Sequence, residues 1–361
     1  EPIRDLDTVP RPAWDLVDMD RYRTIWRRQH GYFSMSVATT RGCPYHCNWC
    51  AKPIYGQRYA ARSPEAVVDE IAWLQATYAP DHLWIADDIF GLKPGWIERF
   101  AALARERRLH IPYKALLRAD GVTPAIAAAL AASGCRTAWI GAESGSQRVL
   151  DAMEKGIRTE DIAQATKRLR AVGIEVGFFL QFGYPGETLE DIQRTLQMVH
   201  ACEPDDIGVS VSYPLPGTTF YERVKAQLGD KQNWVDSNDL TPMYASTYAP
   251  EFYRVLHTLV HREFRWRRAR RLLQRSLRRP AGLRWRTIRE IALGVTHRVR
   301  LPQVRREVDR LATATPARPM PDVSPRLPGG AAPVAVPPSE TPVLLTVLNR
   351  RSASLPSEQL R

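Results

Sequence analysis

Between about Phe33 and Gly229 the chain repeats one unit six times, a short β-branched or apolar run followed by an amphipathic helical stretch. The runs FSMSVAT, HLWIAD, YKALLR, TAWIGA, VGFFLQF and DIGVSVSY are nearly continuous in apolar character, as strands covered on both faces must be. A helix between two strands carries the chain back to the starting edge, so successive strands pair in parallel. The helix starts and stops carry their own signals. Ser63-Pro64-Glu65 supplies an N-cap, a first-position proline and an early acid, and Val67, Ile71, Leu74 and Tyr78 then share one face. Thr188 and Asp191 resemble a capping box ahead of Ile192, Leu196 and Val199. Ile162, Leu169 and Val172 repeat the theme, closed by Gly173. The pattern predicts a parallel α/β sheet wrapped by helices, a barrel or part of one.

The flanks differ from this body. Residues 1–28 mix Pro and Asp with scattered apolar residues and read as a linker, residues 29–235 as the core, and residues 236–312 as a helical, Arg-rich extension. Residues 313–361 hold 10 of the chain's 28 prolines and read as a disordered tail. Between Arg262 and Arg310 stand 17 Arg, no Lys and 4 acids, a local charge of +13, while the remainder has 34 basic against 35 acidic residues. With 44% hydrophobic and 25% charged residues the chain is not disordered throughout. No run of about 18 apolar residues offers a membrane span, and no signal peptide follows Glu1, so the start reads as a fragment or a processed end. The five cysteines are too few and too uneven for an extracellular disulfide framework, which points to a reducing, cytoplasmic setting.

Three of those cysteines form Cys43-Pro-Tyr-His-Cys47-Asn-Trp-Cys50, directly after the first predicted strand. Thiolates so close can converge on one soft metal centre if the loop wraps around it. A structural zinc site and an ordinary ferredoxin cluster each close with four ligands. Three cysteines leave one iron of a [4Fe–4S] cluster open to a further ligand. His46 lies inside the CxxxC loop, where a chelate is strained. The alternatives are zinc completed by a remote ligand such as Cys135 or His200, and thiols without a metal.

CxxxCxxC with Trp49 before its last cysteine, after strand one of a (βα)6 pattern, resembles the radical S-adenosylmethionine (SAM) superfamily. The likeness runs over about residues 33–229. AWIGAESGSQRVLDAMEKGI (138–157), GFFLQFGYPGETLEDIQRT (177–195) and SYPLPGTTFY (212–221) resemble its fourth-, fifth- and sixth-strand elements. The resemblance implies a partial (βα)6 TIM-like barrel with a [4Fe–4S] cluster on Cys43, Cys47 and Cys50, and SAM as co-substrate. Chemistry in such barrels sits at the C-terminal strand ends, where this chain places the Cys loop, Asp87-Asp88, Arg118 with Asp120, Glu143-Ser144 and Gln181. Trp49, Glu143, Ser144 and Gln181 are therefore expected SAM contacts. The family's Gly-Gly-Glu after strand two is replaced by IADDIFG, so Asp87 or Asp88 takes the amino group of the methionine moiety. Arg118 is matched to its carboxylate. The plainer readings are a loop or capping carboxylate for either Asp and a salt bridge for Arg118.

The stretches before the Cys loop and over residues 233–264 are similar to the anaerobic magnesium-protoporphyrin IX monomethyl ester cyclase group. That branch implies C–H functionalisation, as methylation or oxidative cyclisation, of a lipophilic or tetrapyrrole-like small molecule, with a flavodoxin- or ferredoxin-type electron donor. Cobalamin is implied only if a cobalamin-binding domain belongs upstream of Glu1, because the chain holds no Asp-x-His-x-x-Gly element. Substrate contacts are expected from residues 233–264, including Tyr244, Tyr248 and Tyr253, against a packing role for the same rings. The Arg-rich extension, interleaved with Trp266, Leu272, Leu273, Leu277, Leu283 and Trp285, suits peripheral contact with an anionic membrane. Nucleic acid is the weaker reading of that charge, as in a methylthiotransferase-like RNA-modifying protein, and a solvated Arg-rich appendage is the bland one.

Overall fold

The structure, a computed structural model, describes residues 3, 5–50, 58–230, 240–278 and 285–314. A helix, α1 (Met19–His30), enters the first strand, β1 (Ser34–Val37), which is followed by β2 (Thr40–Arg41) and β3 (Ala60–Ala61). Then come α2 (Pro64–Tyr78), β4 (His82–Ile85), α3 (Trp96–Glu106), β5 (Tyr113–Leu117), α4 (Pro124–Ala132) and β6 (Cys135–Glu143). The second half runs α5 (Gln147–Ala152), α6 (Thr159–Ala171), β7 (Glu175–Phe182), α7 (Leu189–Cys202), β8 (Asp206–Val211), α8 (Thr219–Val224), α9 (Pro250–Arg278) and α10 (Trp285–Ala314).

The main sheet is parallel throughout, in the order β1-β4-β5-β6-β7-β8, with register pairs such as Val37↔Ile85, Leu117↔Ile140 and Phe182↔Val211. From β4 to β8 each strand lies beside the next one in the chain, with β1 on the outer side of β4. Among the described residues β1 and β8 do not pair with each other, so the sheet curves as a partial (βα)6 barrel. All six expected strands are present, and the caps follow from local chemistry. The Ser63 hydroxyl accepts from the Ala66 amide, and Thr188 and Asp191 form the reciprocal capping box. Gly173, at φ +81°, closes α6 in the left-handed region that favours glycine. Val67, Ile71 and Leu74 of α2, Ile162 and Leu169 of α6, and Ile192 and Val199 of α7 bury the faces their spacing announced, against Leu83, Ile85, Ala138, Ile140, Val176 and Phe178 of the sheet.

Two local features differ from the expectation. The supposed linker ends in α1, capped by the Asp18 carboxylate at the Arg21 amide and stopped by Gly31 at φ +80°. The other is β2–β3, an antiparallel pair that brackets the Cys loop by joining Thr40 to Ala61 and Arg41 to Ala60. Two-residue strands carry no alternation to read. The Arg-rich extension forms the hairpin α9–α10. Its antiparallel sense is set by Glu263 with Arg305, Ala269 beside Gly294, and Arg268 with Glu290. A Cβ on Gly294 would lie 2.0 Å from that of Ala269, so only glycine permits this approach. Among the described residues no helix is long and apolar enough to cross a membrane. The expectations for the tail beyond residue 314 and for Leu283 fall outside the described residues.

Candidate active site

The Cys loop leaves β2 at the C-terminal end of the sheet, with Cys43 and Cys47 buried and Cys50 half-buried. Asn48 fixes it. Its backbone amide donates to the Met153 carbonyl (3.1 Å) and its carbonyl accepts from the Phe220 amide (2.9 Å). Its side-chain nitrogen donates to the Ala152 carbonyl (2.8 Å) and to Glu154 Oε1 (3.2 Å), and its Oδ1 accepts from the Tyr184 hydroxyl (3.1 Å). One buried residue, through its backbone and side chain, thus ties the cysteine loop to the end of α5, the start of α8 and the loop after β7. A buried amide is tolerated only when paired this fully.

Asp87 anchors the other shoulder. Buried at the end of β4, it accepts from the Thr39 amide (2.7 Å), the Thr40 amide (3.0 Å) and the Thr39 hydroxyl. Burial pushes its pKa up to about 6, against the pull of those hydrogen bonds. Asp88, the adjacent candidate, is exposed, and no hydrogen bond or ion pair engages its carboxylate among the described residues. Leu83, Ile85 and Asp87 are buried on alternate positions, so the period of the strand already turned Asp87 inward.

Arg118, at the end of β5, is buried. Its guanidinium lies 3.7 Å from the centroid of the Tyr45 ring, inside the CxxxC loop, and donates to Asp120 (3.0 Å) and to the Gly156 carbonyl (2.9 Å). Its charge therefore bears on the Cys loop while its hydrogen bonds brace the turn after α5. Glu143 closes β6 at φ +55°, a strained conformation for a side-chain-bearing residue, beside a register shift between Gly141 and Glu143. The bulge aims its carboxylate at Lys155 (3.0 Å), with both side chains largely buried. Burial opposes the charge of Lys155, but Glu143 and the Cys47 sulfur outweigh it and hold its pKa above the ordinary lysine value. A Cβ at Gly141 would stand 2.8 Å from both Glu143 Oε1 and Lys155 Nζ, so this glycine keeps the space the pair occupies. Lys155 Nζ also lies 5.8 Å from the centroid of Trp49, whose indole N–H is buried with no partner among the described residues.

Ser144 and Gln181 are buried and engaged. The Ser144 hydroxyl meets Thr195 Oγ1 (3.1 Å) and accepts from the Ser146 amide (3.1 Å), and Gln181 Nε2 donates to Ser212 Oγ (2.9 Å). The next turn is locked through Asp191, which takes Ser146 (2.6 Å), Thr188 and Arg148. Burial opposes its ionisation, yet these bonds hold its carboxyl down at about 2. Glu187 is the counter-case. It is buried, accepts from the Gly183 amide (2.6 Å) through Oε2 and has no partner for Oε1. Burial pushes it up to about 8. Tyr244, Tyr248 and Tyr253 are all buried around this turn, and the Tyr244 hydroxyl donates to the Gly183 carbonyl.

Asn48, Lys155 and Glu187 lie within the quoted motifs, but the partners of Asn48 and Lys155 come from other segments and Glu187 is set apart only by its burial, so spacing did not single them out. The remote zinc ligands do not converge. Cys135 opens β6 at the opposite end of the sheet, beside Tyr113, with burial pushing its thiol up to about 12. His200 Nε2 is 3.0 Å from Glu263 at the base of the helical hairpin. Among the described residues no three His, Cys, Asp or Glu side chains are close enough to hold a single ion. A cube bound at three separate corners does not require that convergence. A three-thiol loop beside a buried lysine and arginine fits an anionic iron–sulfur cluster.

Residues 37–199 match the family described as the Radical SAM superfamily. The chain is 29% identical over 244 residues to an uncharacterized methyltransferase of Pyrococcus horikoshii, covering 67% of this chain and 52% of that protein. It is 26% identical over 238 residues to the anaerobic magnesium-protoporphyrin IX monomethyl ester cyclase of Synechocystis sp., covering 64% of this chain and 46% of that one. Among solved structures, the radical SAM methyltransferase TsrM of Kitasatospora setae, with cobalamin and a [4Fe–4S] cluster bound, superposes with a TM-score of 0.51 at 26% identity, over 64% of this chain and 44% of that one. The chain spans about half the length of the curated relatives it matches. With the strand order and the placement of the Cys loop, these likenesses identify residues 37–199 as a radical SAM domain.

Proposed function

We propose that this chain is the catalytic core of a radical SAM enzyme that functionalises an unreactive C–H bond of a lipophilic or tetrapyrrole-like small molecule, by methylation or oxidative cyclisation. The observation that carries the reading is the Cys43–Cys47–Cys50 loop, held at the strand ends by Asn48 and Asp87 and faced by Arg118 and Lys155. Cys43, Cys47 and Cys50 would hold a [4Fe–4S] cluster, which would supply the single electron that reductive cleavage of SAM needs. The protein's own part is to hold and orient. Glu143 and Lys155 present opposite charges side by side, suited to the ammonium and carboxylate of an amino acid moiety. Arg118 adds a second cation, and the Trp49 ring an apolar wall. Asp88 is the acid of the pair left available for the amino group. Asp87, Ser144 and Gln181 act as positioning residues, through their bonds to Thr39 and Thr40, to the Ser146 amide and to Ser212. A cytoplasmic setting and a low-potential flavodoxin- or ferredoxin-type donor suit this chemistry, and cobalamin enters if a domain outside this chain supplies it.

Anaerobic reconstitution with iron and sulfide tests the reading. The expected result is a brown protein with about four irons per chain that releases 5′-deoxyadenosine from SAM under a low-potential reductant. Colourless protein, or a cluster that leaves SAM intact, overturns it. Asp88→Asn should raise the half-saturating SAM concentration about tenfold without lowering Tm, whereas Asp87→Asn should lower Tm and cluster content together.

A further inference from the structure

Among the described residues, nothing covers one face of the helix α10. Its buried positions are Gly294, Leu301 and Val308, seven residues apart, facing α9 and the core. On the other side, roughly 160° around the helix, Trp285, Ile288, Ala292, Val295 and Val299 recur at the three- and four-residue steps of a single stripe. Trp285 is 76% exposed, Val295 50% and Val299 74%. On α9, Leu273 and Leu277 add exposed apolar surface at the same end of the hairpin. The stripe is bordered by the exposed residues Arg289, Arg298 and Arg300, none of which has an acidic partner among the described residues.

We propose that this face of α10 docks on an anionic lipid surface, the stripe entering the headgroup boundary and the arginines meeting the lipid charges. A stripe with an aromatic end and arginines along its borders is what an interfacial helix requires. The charge is also where such contact needs it. The segment from Arg262 to Arg310 carries +13 while the rest of the chain is close to neutral, so attraction to a negative leaflet turns this face toward it. A second copy of the chain is the poorer occupant, because pairing two such stripes sets arginine rows against each other. Nucleic acid would use the charge, but it gives uncovered valine and isoleucine no counterpart, and only one aromatic ring lies on the stripe for bases to stack on.

The test is co-sedimentation of the full chain, cluster loaded, with vesicles of phosphatidylcholine alone or with roughly a third phosphatidylglycerol. Expected is at least about tenfold stronger partition onto the anionic vesicles at low salt. A Val295→Ser/Val299→Ser variant should lose about tenfold, and an Arg298→Glu/Arg300→Glu variant should lose as much. Both variants should keep wild-type helicity and iron content. Three results overturn the proposal. The Val295→Ser/Val299→Ser variant partitions like wild type. The chain is a dimer in solution that this variant dissolves. Or the chain ignores vesicles and instead binds RNA in a way the Arg298→Glu/Arg300→Glu variant abolishes and the valine variant does not.

Discussion

The strand-end site and the face of α10 break the same rule in opposite directions. At the strand ends, groups that belong in water are buried: Asn48, Asp87, Arg118 and Glu143. On α10, groups that belong in a core stand in water: Trp285, Val295 and Val299. Neither inversion is free. The first is stabilised inside the fold, since nearly every buried polar atom there has a named partner. The second has no compensation within the described residues, and the proposed lipid contact would supply it. Exceptions to burial thus separate into those the protein settles by itself and those that call for something else.

The largest effect should come from removing a thiol of the strand-end site, set against thiols elsewhere in the core. Cys47→Ala should abolish both the iron chromophore and 5′-deoxyadenosine release. Cys135→Ala and Cys202→Ala should leave both near wild type, because those two cysteines sit at the far end of β6 and at the end of α7. Iron assay and product chromatography decide it. Next comes the tie itself. Asn48→Ala strands the Tyr184 hydroxyl and the Ala152 carbonyl without one of their partners, so it should cost about 2–4 kcal/mol. Thermal unfolding measures that cost, and a parallel fall in cluster retention would show that the loop, not only the fold, depends on Asn48.

Glu187 offers a pH test of the same region. Its folded pKa of about 8 lies above the ordinary carboxyl value of 4.5. The unfolded chain therefore releases this proton near pH 4.5 and the folded chain keeps it to about pH 8. The stabilisation is complete below pH 4.5 and is lost as the pH climbs to 8. Glu187→Gln keeps an acceptor for the Gly183 amide and cannot ionise. The Tm of wild type relative to this variant should fall by roughly 5 °C or more between pH 5 and pH 8. A difference that stays constant with pH would mean the carboxyl is already ionised in the folded protein.

How far the sequence reached follows the range of the forces involved. The caps at Ser63 and Thr188 and the buried faces of α2, α6 and α7 were legible because each is decided within a few residues. The Cys loop was legible as chemistry because three thiols in eight residues have few uses. What escaped depends on remote partners. Asn48 reaches Ala152 and Tyr184, and Lys155 reaches Glu143 across a bulge that only the register of β6 against β7 reveals. Asp87 and Asp88 lay between the two cases. The alternation through Leu83 and Ile85 was in the sequence, and extending it two residues would have chosen the inward acid.

The smallest effect is the one that isolates α10. Val299→Ser should leave the unfolding free energy within about 0.5 kcal/mol of wild type, because a side chain 74% exposed contributes little packing to lose. Val308→Ser, one face away and 3% exposed, should cost about 1–3 kcal/mol through lost burial and an unpaired hydroxyl. The pair matters more than either member. If both variants are destabilised alike, the stripe is already covered in the isolated chain, by the residues beyond Ala314 or by a second copy, and the surface is not open to a membrane. If only Val308→Ser is, the stripe contributes nothing to folding, and a loss of vesicle binding in the serine variants can be assigned to the contact itself.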